Sequence, residues 1–209
     1  MPEHLWQVLD LVGVAVFAVT GGLVAARLRQ DFIAFLFFCT LTGIGGGTMR
    51  DLLLGVPVFW VENETYIYVC FVVTIFMWYF SHWVETWGKP LRWFDAIGLA
   101  AYCVMGSAKA LSVGDVYSVA VMMGVCTATV GGIVRDIVAG QPSVLSQRDI
   151  YVSAAFMGSC TYVASVAVGL SDNIGVILGF CVALVLRGGA LLFDWTLPTY
   201  RTPEEKKDS

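Results

Sequence analysis

The chain has 209 residues, of which 58% are hydrophobic and 13% are charged, and its formal net charge is -4 at pH 7. Soluble domains carry about 25% charged residues, so this composition excludes an ordinary soluble protein and indicates a polytopic membrane protein. The acidic balance also excludes a basic nucleic-acid-binding surface. The six cysteines are scattered singly in apolar runs, which favours buried small side chains over disulfides or metal sites.

Seven apolar segments are long enough, at about 20 residues each, to cross a bilayer as helices. The first has no basic region before it and no clear cleavage site after it, which predicts a retained helix rather than a signal peptide. The sequence therefore predicts an all-α integral membrane protein with seven transmembrane helices. In chain order the segments are 5–26, 32–55, 65–84, 93–112, 116–139, 150–170 and 174–194.

Basic residues are concentrated on one side of this topology. Seven crossings put the two termini on opposite sides, and by the positive-inside rule the side rich in Lys and Arg is cytoplasmic. That side holds the C-terminus, so we expect the N-terminus outside. The basic residues of the C-terminal side are Arg27, Arg29, Lys89, Arg92, Arg148, Arg201, Lys206 and Lys207. The acidic residues of the opposite side are Glu3, Glu62, Glu64, Asp115 and Asp172.

The chain repeats itself at a shift of 85 positions. Residues 10–57 align without a gap on 95–142, and 13 of the 48 pairs are identical, with "GGTMRDLLLGVP" matching "GGIVRDIVAGQP". Each unit holds three segments, an odd number, so the second unit must be inverted in the membrane. Such inverted 3+3 repeats build transport pathways near the bilayer midplane. The predicted units are 1–88, the inverted 89–172, a seventh helix over 173–195 and a cytoplasmic polar tail over 196–209.

Glycines interrupt the second and fifth segments near mid-membrane, where Gly46 and Gly47 align with Gly131 and Gly132. They predict a kinked or unwound helix. Unwinding frees carbonyls that must face protein or water, and potassium ions could contact them near these two glycines. The alternative is that the glycines only permit close helix packing. The candidate pore and kink residues are Gly45, Gly46, Gly47, Gly131 and Gly132, with nearby hydroxyls from Thr48, Thr127 and Thr129.

A charged pair follows each glycine run, Arg50-Asp51 in the first unit and Arg135-Asp136 in the second. Inversion would place the pairs on opposite sides of the midplane, flanking a pathway. Ionisable residues inside a membrane are candidates for function. For Arg50 the alternative is that its long side chain reaches the interface.

Other charges in the segments allow simpler interpretations. Lys109 fits a pathway role and an interfacial position equally well. Arg187 lies deeper and is expected to face protein, with its role open. Asp10 and Asp95 open the first and fourth segments, and helix-start electrostatics accounts for both. The chain shows no nucleophile elbow, phosphate loop or metal-ligand spacing, so we predict no enzymatic activity, no cofactor and no bound metal.

The doubled GG-x-x-RD signature and the seven-segment inverted plan resemble the prokaryotic trimeric intracellular cation (TRIC) channels, a family whose repeated unit is called a glycine transporter domain. The resemblance covers residues 5–194. It implies a homotrimer with one pore in each subunit, monovalent-cation conductance that is chiefly of potassium, and second and fifth helices kinked at their glycines. Val130 stands where a full triple glycine would begin in the second copy. Lys109 matches a basic residue often found in the fourth helix of the family.

The leading prediction is a passive potassium channel in the plasma (inner) membrane of a bacterium or archaeon. Membrane lipid and identical subunits are its expected partners, and neither nucleic acid nor a soluble partner is implied. The alternative is a secondary transporter of a small solute such as glycine, which would present helix N-termini after Gly47 and Gly132 to a carboxylate. A purely structural membrane protein is disfavoured by the costly charges.

Overall fold

The structure is a computed structural model that describes residues 3–85, 90–114, 116–142 and 150–196. Within these ranges the regular structure is helical, which confirms the predicted all-α fold. The eight helices are α1 (Glu3–Arg27), α2 (Phe32–Leu54), α3 (Phe59–Glu62), α4 (Thr65–Glu85), α5 (Pro90–Val113), α6 (Tyr117–Val138), α7 (Val152–Ala167) and α8 (Asp172–Phe193).

Each of the seven predicted segments contains a helix. Six of these helices are long and apolar enough to cross a membrane, namely α1, α2, α4, α5, α6 and α8. Helix α7 is shorter than predicted, with 16 residues, and the chain after it turns through Gly169 at a φ of 80°. Helix α3 was not predicted, because four residues carry too little periodicity to detect.

Several predicted features lie outside the described residues. They are Lys89, Asp115, Arg148, Arg201, Lys206, Lys207 and the tail beyond Thr196.

Local signals explain where the long helices begin and end. The Asp31 carboxylate accepts a hydrogen bond from the Ala34 backbone N–H at 2.8 Å and so caps the start of α2. Gly55 follows α2 at a φ of 66°, and its repeat-related glycine, Gly140, lies beyond α6 at a φ of 62°. Both occupy the left-handed region that glycine adopts without a steric penalty.

The helices form two groups of three with the same internal order. Helix α1 packs on α2 and α4, and α2 also packs on α4; in the same way α5 packs on α6 and α7, and α6 packs on α7. The groups meet where α2 crosses α6 and where α1 meets α5, and α8 packs against α7 and α5.

Contacts between the two groups are reciprocal. The rings of Phe17 and Tyr102 stack with their centroids 5.2 Å apart. A Cβ on Gly13 would lie 3.0 Å from the Tyr102 ring, and one on Gly98 would lie 2.9 Å from the Phe17 ring. Residues 13 and 98, and residues 17 and 102, are each 85 positions apart. Contacts of this kind, in which i meets j and the mate of j meets the mate of i, arise when two units are related by a two-fold rotation.

Candidate functional site

Helices α2 and α6 cross with their backbones in direct contact at the repeated glycines. A Cβ on Gly46 would collide with the Thr127 carbonyl oxygen, and one on Gly131 would lie 2.7 Å from the Thr42 carbonyl oxygen. A Cβ on Gly45 would meet only the Gly131 Cα, at an ordinary 3.8 Å. Only residues without a side chain permit this approach, so Gly46 and Gly131 have the packing role that the sequence left as an alternative.

The unwound form of these helices is not found. Both α2 and α6 are helical at every residue through their glycines, so the carbonyls there are not released by a broken segment. The expectation of unwinding is therefore wrong; close backbone packing of the two helices replaces it. The kink stays a prediction.

The candidate threonines bond to their own helices. The hydroxyls of Thr48, Thr127 and Thr129 donate to the carbonyls of Ile44, Met123 and Val125, at 2.7, 2.6 and 2.8 Å. Such bonds to the preceding turn often bend a helix. The Thr48 hydroxyl also accepts a hydrogen bond at 2.8 Å from the indole of Trp60, in the short helix α3.

Remaining glycines of the signature seat aromatic residues. A Cβ on Gly47 would lie 2.6 Å from the Phe59 ring, and one on Gly132 would lie 2.9 Å from the Tyr151 hydroxyl. These glycines therefore make room for aromatic side chains beside the two Arg-Asp pairs.

A cavity of about 570 Å³ lies beside Arg50. We call it the Arg50 cavity. The cavity lies among the starts of α1 and α8 and the ends of α2, α5 and α7. Its lining residues are Gln7, Asp10, Arg50, Phe59, Tyr66, Met105, Ala108, Lys109, Leu111, Ser112, Tyr162, Val166 and Asp172.

Arg50 is buried but is held by few groups. Its Nε donates to the Asp51 carboxylate at 2.7 Å, and its guanidinium carbon lies 5.8 Å from the centre of the Phe59 ring. Asp10 lines the same cavity and accepts a hydrogen bond from the Tyr66 hydroxyl at 2.8 Å. The Asp10 carboxylate is thus fixed by a tyrosine in the cavity that Arg50 also lines.

Asp51 connects α2, α3 and α5 beside this cavity. Its side chain is fully buried; one oxygen accepts from Arg50 and the other accepts the Phe59 backbone N–H at 3.0 Å. The Lys109 ammonium lies 3.7 Å from the Asp51 carboxylate, and the Lys109 side chain is 35% exposed. The structure therefore brings Lys109 to the first Arg-Asp pair, an encounter that the sequence did not predict.

A second cavity, of about 290 Å³, lies beside Arg135. We call it the Arg135 cavity. The cavity lies among the end of α1, the start of α5 and the end of α6. Its lining residues are Val24, Arg27, Leu28, Leu91, Arg92, Asp95, Arg135, Asp136, Gln141, Pro142 and Arg187.

Arg135 joins three helices. Its Nε donates to Asp136 of its own helix at 2.9 Å, and its Nη1 donates to Asp95 of α5 at 3.1 Å and to the Thr20 hydroxyl of α1 at 2.8 Å. The residue is 2% exposed. Because an unpaired charge at this depth would be costly, these partners hold α1, α5 and α6 together.

Arg187 faces protein, as its depth in the last segment predicted. Its Nη1 donates to the Ile150 carbonyl at 3.2 Å, and its guanidinium carbon lies 5.0 Å from the centre of the Tyr151 ring. It contributes to the wall of the Arg135 cavity.

The two cavities lie at opposite ends of the same helices. Asp10 of α1 lines the Arg50 cavity and Val24 of α1 lines the Arg135 cavity, about 21 Å apart at helical rise. Helix α5 runs between the cavities in the opposite sense, from Asp95 to Lys109. Between them lie the Phe17–Tyr102 stack and the α2–α6 crossing.

Sequence reasoning underrated Asp10 and Asp95, which it assigned to helix-start electrostatics. The structure places each in a cavity beside the arginine of its own unit. The signal was present, because Asp10 and Asp95 are an identical pair of the repeat. Thr20 could not have been found in this way, since Met105 stands at its repeat-related position. Within the described ranges, no group of three or more His, Cys, Asp or Glu side chains could hold a metal ion.

Comparison with known proteins places this architecture. The glycine transporter family model matches residues 7–82 and 92–167, two ranges offset by 85 positions. A UPF0126 membrane protein of Vibrio cholerae is 34% identical over 204 residues, which cover 96% of this chain and 84% of the relative. The UPF0126 inner membrane protein YadS of Escherichia coli is 34% identical over 201 residues, covering 94% and 96%.

The solved structure of a TRIC trimeric intracellular cation channel orthologue from Rhodobacter sphaeroides is 40% identical. It superposes with a TM-score of 0.88 over 91% of this chain and 99% of that chain. With two family-model matches and full-length relatives of this identity, the chain belongs to the glycine transporter family, to which the prokaryotic TRIC channels also belong.

Proposed function

We propose that the protein is a channel for monovalent cations, chiefly potassium, with one pathway in each subunit that runs from the Arg50 cavity to the Arg135 cavity between α2 and α6. The observation that carries this proposal is the pair of charged cavities at opposite ends of α1 and α5, separated by a glycine crossing. The similarity to a TRIC cation channel supports it.

The crossing then acts as the constriction. A displacement of the two helices would open it, because no side chain of Gly46 or Gly131 fills the space at the crossing. The back-bonded Thr127 and Thr129 hydroxyls favour a bend in α6 at this level. In this proposal the carbonyls near Gly46 and Gly131 contact a potassium ion as it passes.

The proposal includes an inverted repeat of units 1–88 and 89–172, followed by a seventh helix over 173–195. Reciprocal contacts between the units and the doubled family match support it. We further propose a homotrimer in a prokaryotic plasma membrane, with the N-terminus outside and the polar tail over 196–209 in the cytoplasm. Exposed apolar side chains along α4 suit contact with lipid, among them Phe71, Val72, Phe76, Tyr79 and Phe80.

The transporter alternative loses its specific support. It relied on helix N-termini created after Gly47 and Gly132, and α2 and α6 continue unbroken through both positions. A passive pathway makes no such demand on the backbone.

Single-channel recording of the purified protein in planar bilayers with a potassium gradient tests the proposal. We expect unitary currents that reverse at the potassium equilibrium potential. Solute-dependent flux without unitary steps would contradict a channel.

A further inference from the structure

The Arg50 cavity contains a buried cation with unused hydrogen-bonding capacity. Arg50 is 4% exposed, and among the described residues its only hydrogen bond is from Nε to Asp51. Its Nη1 and Nη2 atoms make none to a described side chain or backbone. A guanidinium offers five donors in a planar fork that suits a carboxylate. Arg50 is therefore equipped to receive an anionic group from within the cavity.

A second cation lies at the same wall. The Lys109 ammonium is 3.7 Å from Asp51, which is within ion-pair distance but too far for a good hydrogen bond. Asp51 already accepts hydrogen bonds from Arg50 and from the Phe59 backbone. Two cations thus share one carboxylate, and the wall has an excess of positive charge.

Two carboxylates line the same cavity. Asp10 and Asp172 each accept a hydrogen bond from a tyrosine hydroxyl, at 2.8 Å from Tyr66 and at 2.6 Å from Tyr162. Each tyrosine bond occupies one oxygen and orients the carboxylate. The other oxygen of each remains suited to an ammonium group.

The lining presents two cations, Arg50 and Lys109, which share Asp51. It also presents two carboxylates, Asp10 and Asp172, which make no ion pair among the described contacts. A zwitterion can contact groups of both signs, whereas a lone anion or a lone cation can contact only one kind. The cavity volume of about 570 Å³ lies within the range of small-molecule sites, about 300–1,000 Å³.

We propose that the Arg50 cavity binds a small amino acid as a zwitterion, with its carboxylate on Arg50 and Lys109 and its ammonium on Asp10 and Asp172, and that this occupant blocks cation flow. The binding step stands on the cavity alone. The blocking step rests on the proposed channel function, because the bound molecule would occupy one mouth of that pathway.

Isothermal titration calorimetry of the purified full-length protein in detergent tests binding. L-alanine is the probe, and propionate and ethylammonium are matched halves that carry only its carboxylate or only its ammonium. Because hydrogen bonds to charged groups contribute about 1.5–3 kcal/mol each, L-alanine should bind at least about tenfold more tightly than either half. Equal affinity for propionate would reveal an anion site and overturn the proposal, as would absence of L-alanine binding.

Paired variants locate the site. Arg50→Gln should weaken L-alanine binding at least about tenfold, since a charge-assisted contact is lost. Arg92→Gln makes the same chemical change at an exposed position of the other cavity and should leave binding within about twofold, by the distance criterion for independent sites. Size-exclusion chromatography and circular dichroism verify folding. Should Arg50→Gln not fold, Lys109→Gln and Asp172→Asn, at more exposed positions, should each weaken binding; unchanged affinity would overturn the proposal.

Bilayer recording separates the two steps. L-alanine added on the side of the Arg50 cavity should shorten open times, and addition on the opposite side should have less effect. Calorimetric binding without a change in current would overturn the block. A protein that carries no current before L-alanine is added would contradict the channel proposal and leave the calorimetric result valid.

Discussion

The Arg50 and Arg135 cavities are built at repeat-related positions, yet they hold their arginines differently. Arg135 bonds to groups on three helices, whereas Arg50 bonds to its neighbour Asp51 and packs against the Phe59 ring. One cause is a single position: Thr20 accepts a hydrogen bond from Arg135, and Met105 stands at the corresponding place near Arg50. The same Arg-Asp pair therefore has two roles. Arg135 ties three helices together through its bonds to Thr20, Asp95 and Asp136, an arrangement that we call the latch. Arg50 keeps donors that face its cavity.

The charge of the residues that line each cavity also differs, because repeat-related positions carry different side chains. Arg92 in the Arg135 cavity corresponds by the shift of 85 to Gln7 in the Arg50 cavity, and Lys109 corresponds to Val24. Among described residues the Arg135 cavity carries four arginines and two aspartates, while the Arg50 cavity carries two cations and two carboxylates. Repeat-related positions therefore share the Arg-Asp pair, while the other charges that line each cavity differ.

The largest effect should come from the crossing that both halves share. Gly46→Leu combined with Gly131→Leu should abolish conduction, because two leucine side chains would fill a crossing where a Cβ alone already meets a carbonyl of the opposite helix. Single-channel recording measures the effect. Gly45→Ala is the matched control, since its Cβ meets only the Gly131 Cα at 3.8 Å, and it should keep its currents. Normal currents in a folded double variant would contradict the assignment of the pathway.

Removing the repeated aspartates should separate the two halves next. Asp95→Asn breaks a buried ion pair with Arg135, so we expect a loss of about 3–5 kcal/mol in the free energy of unfolding. Asp10→Asn should cost less, because the Asp10 carboxylate bonds to Tyr66 and makes no ion pair among the described contacts. Denaturant unfolding in detergent compares them. Equal losses would show that the two arginines are held alike.

Loosening the latch should have a smaller effect that is mainly on gating. Thr20→Val removes the hydroxyl that accepts from Arg135 at little change in shape, and a hydrogen bond contributes about 0.5–1.5 kcal/mol. If the latch closes the Arg135 cavity, open probability should rise about two- to tenfold, which is that energy expressed as a population ratio. Thr74→Val is the control, since that buried hydroxyl donates to the Cys70 carbonyl of its own helix. The same rise in open probability in both variants would contradict a gating role for the Thr20–Arg135 hydrogen bond.

The smallest effect should come from charge at the mouths. Arg92→Gln gives the Arg135 cavity the residue of its repeat-related position, and Gln7→Arg does the reverse in the Arg50 cavity. Removing a positive charge should raise the cation current that enters from that side, by less than about twofold because salt screens exposed charges. Gln7→Arg should lower the current that enters from the other side. Current–voltage curves at low and high salt test this, and an effect that persists at high salt would exclude the changed charge as its cause.

Much of the fold was predictable because the membrane imposes it. A lipid environment requires each crossing to be a long apolar helix, and six helices meet the requirement. Helix α3 and the short length of α7 were not predicted, because their limits depend on packing and on turns rather than on periodicity. The paired Asp10 and Asp95 were visible as identical residues, but their place beside arginine was not, since a pairwise match does not say what lies nearby.

The sequence by itself determined the membrane class, the helix order, the doubled glycine and Arg-Asp signature and the family, because composition, periodicity and identity over the whole chain carry this information. Only the tertiary structure decided that α2 and α6 remain unbroken and touch through Gly46 and Gly131. It also decided that Arg135 is bonded to Thr20 and Asp95, while Arg50 lines a cavity with N–H donors that make no hydrogen bond to a described residue. The physical reason is that glycine permits both a bend and a close approach, and a buried charge takes whichever partners the neighbouring helices bring within reach.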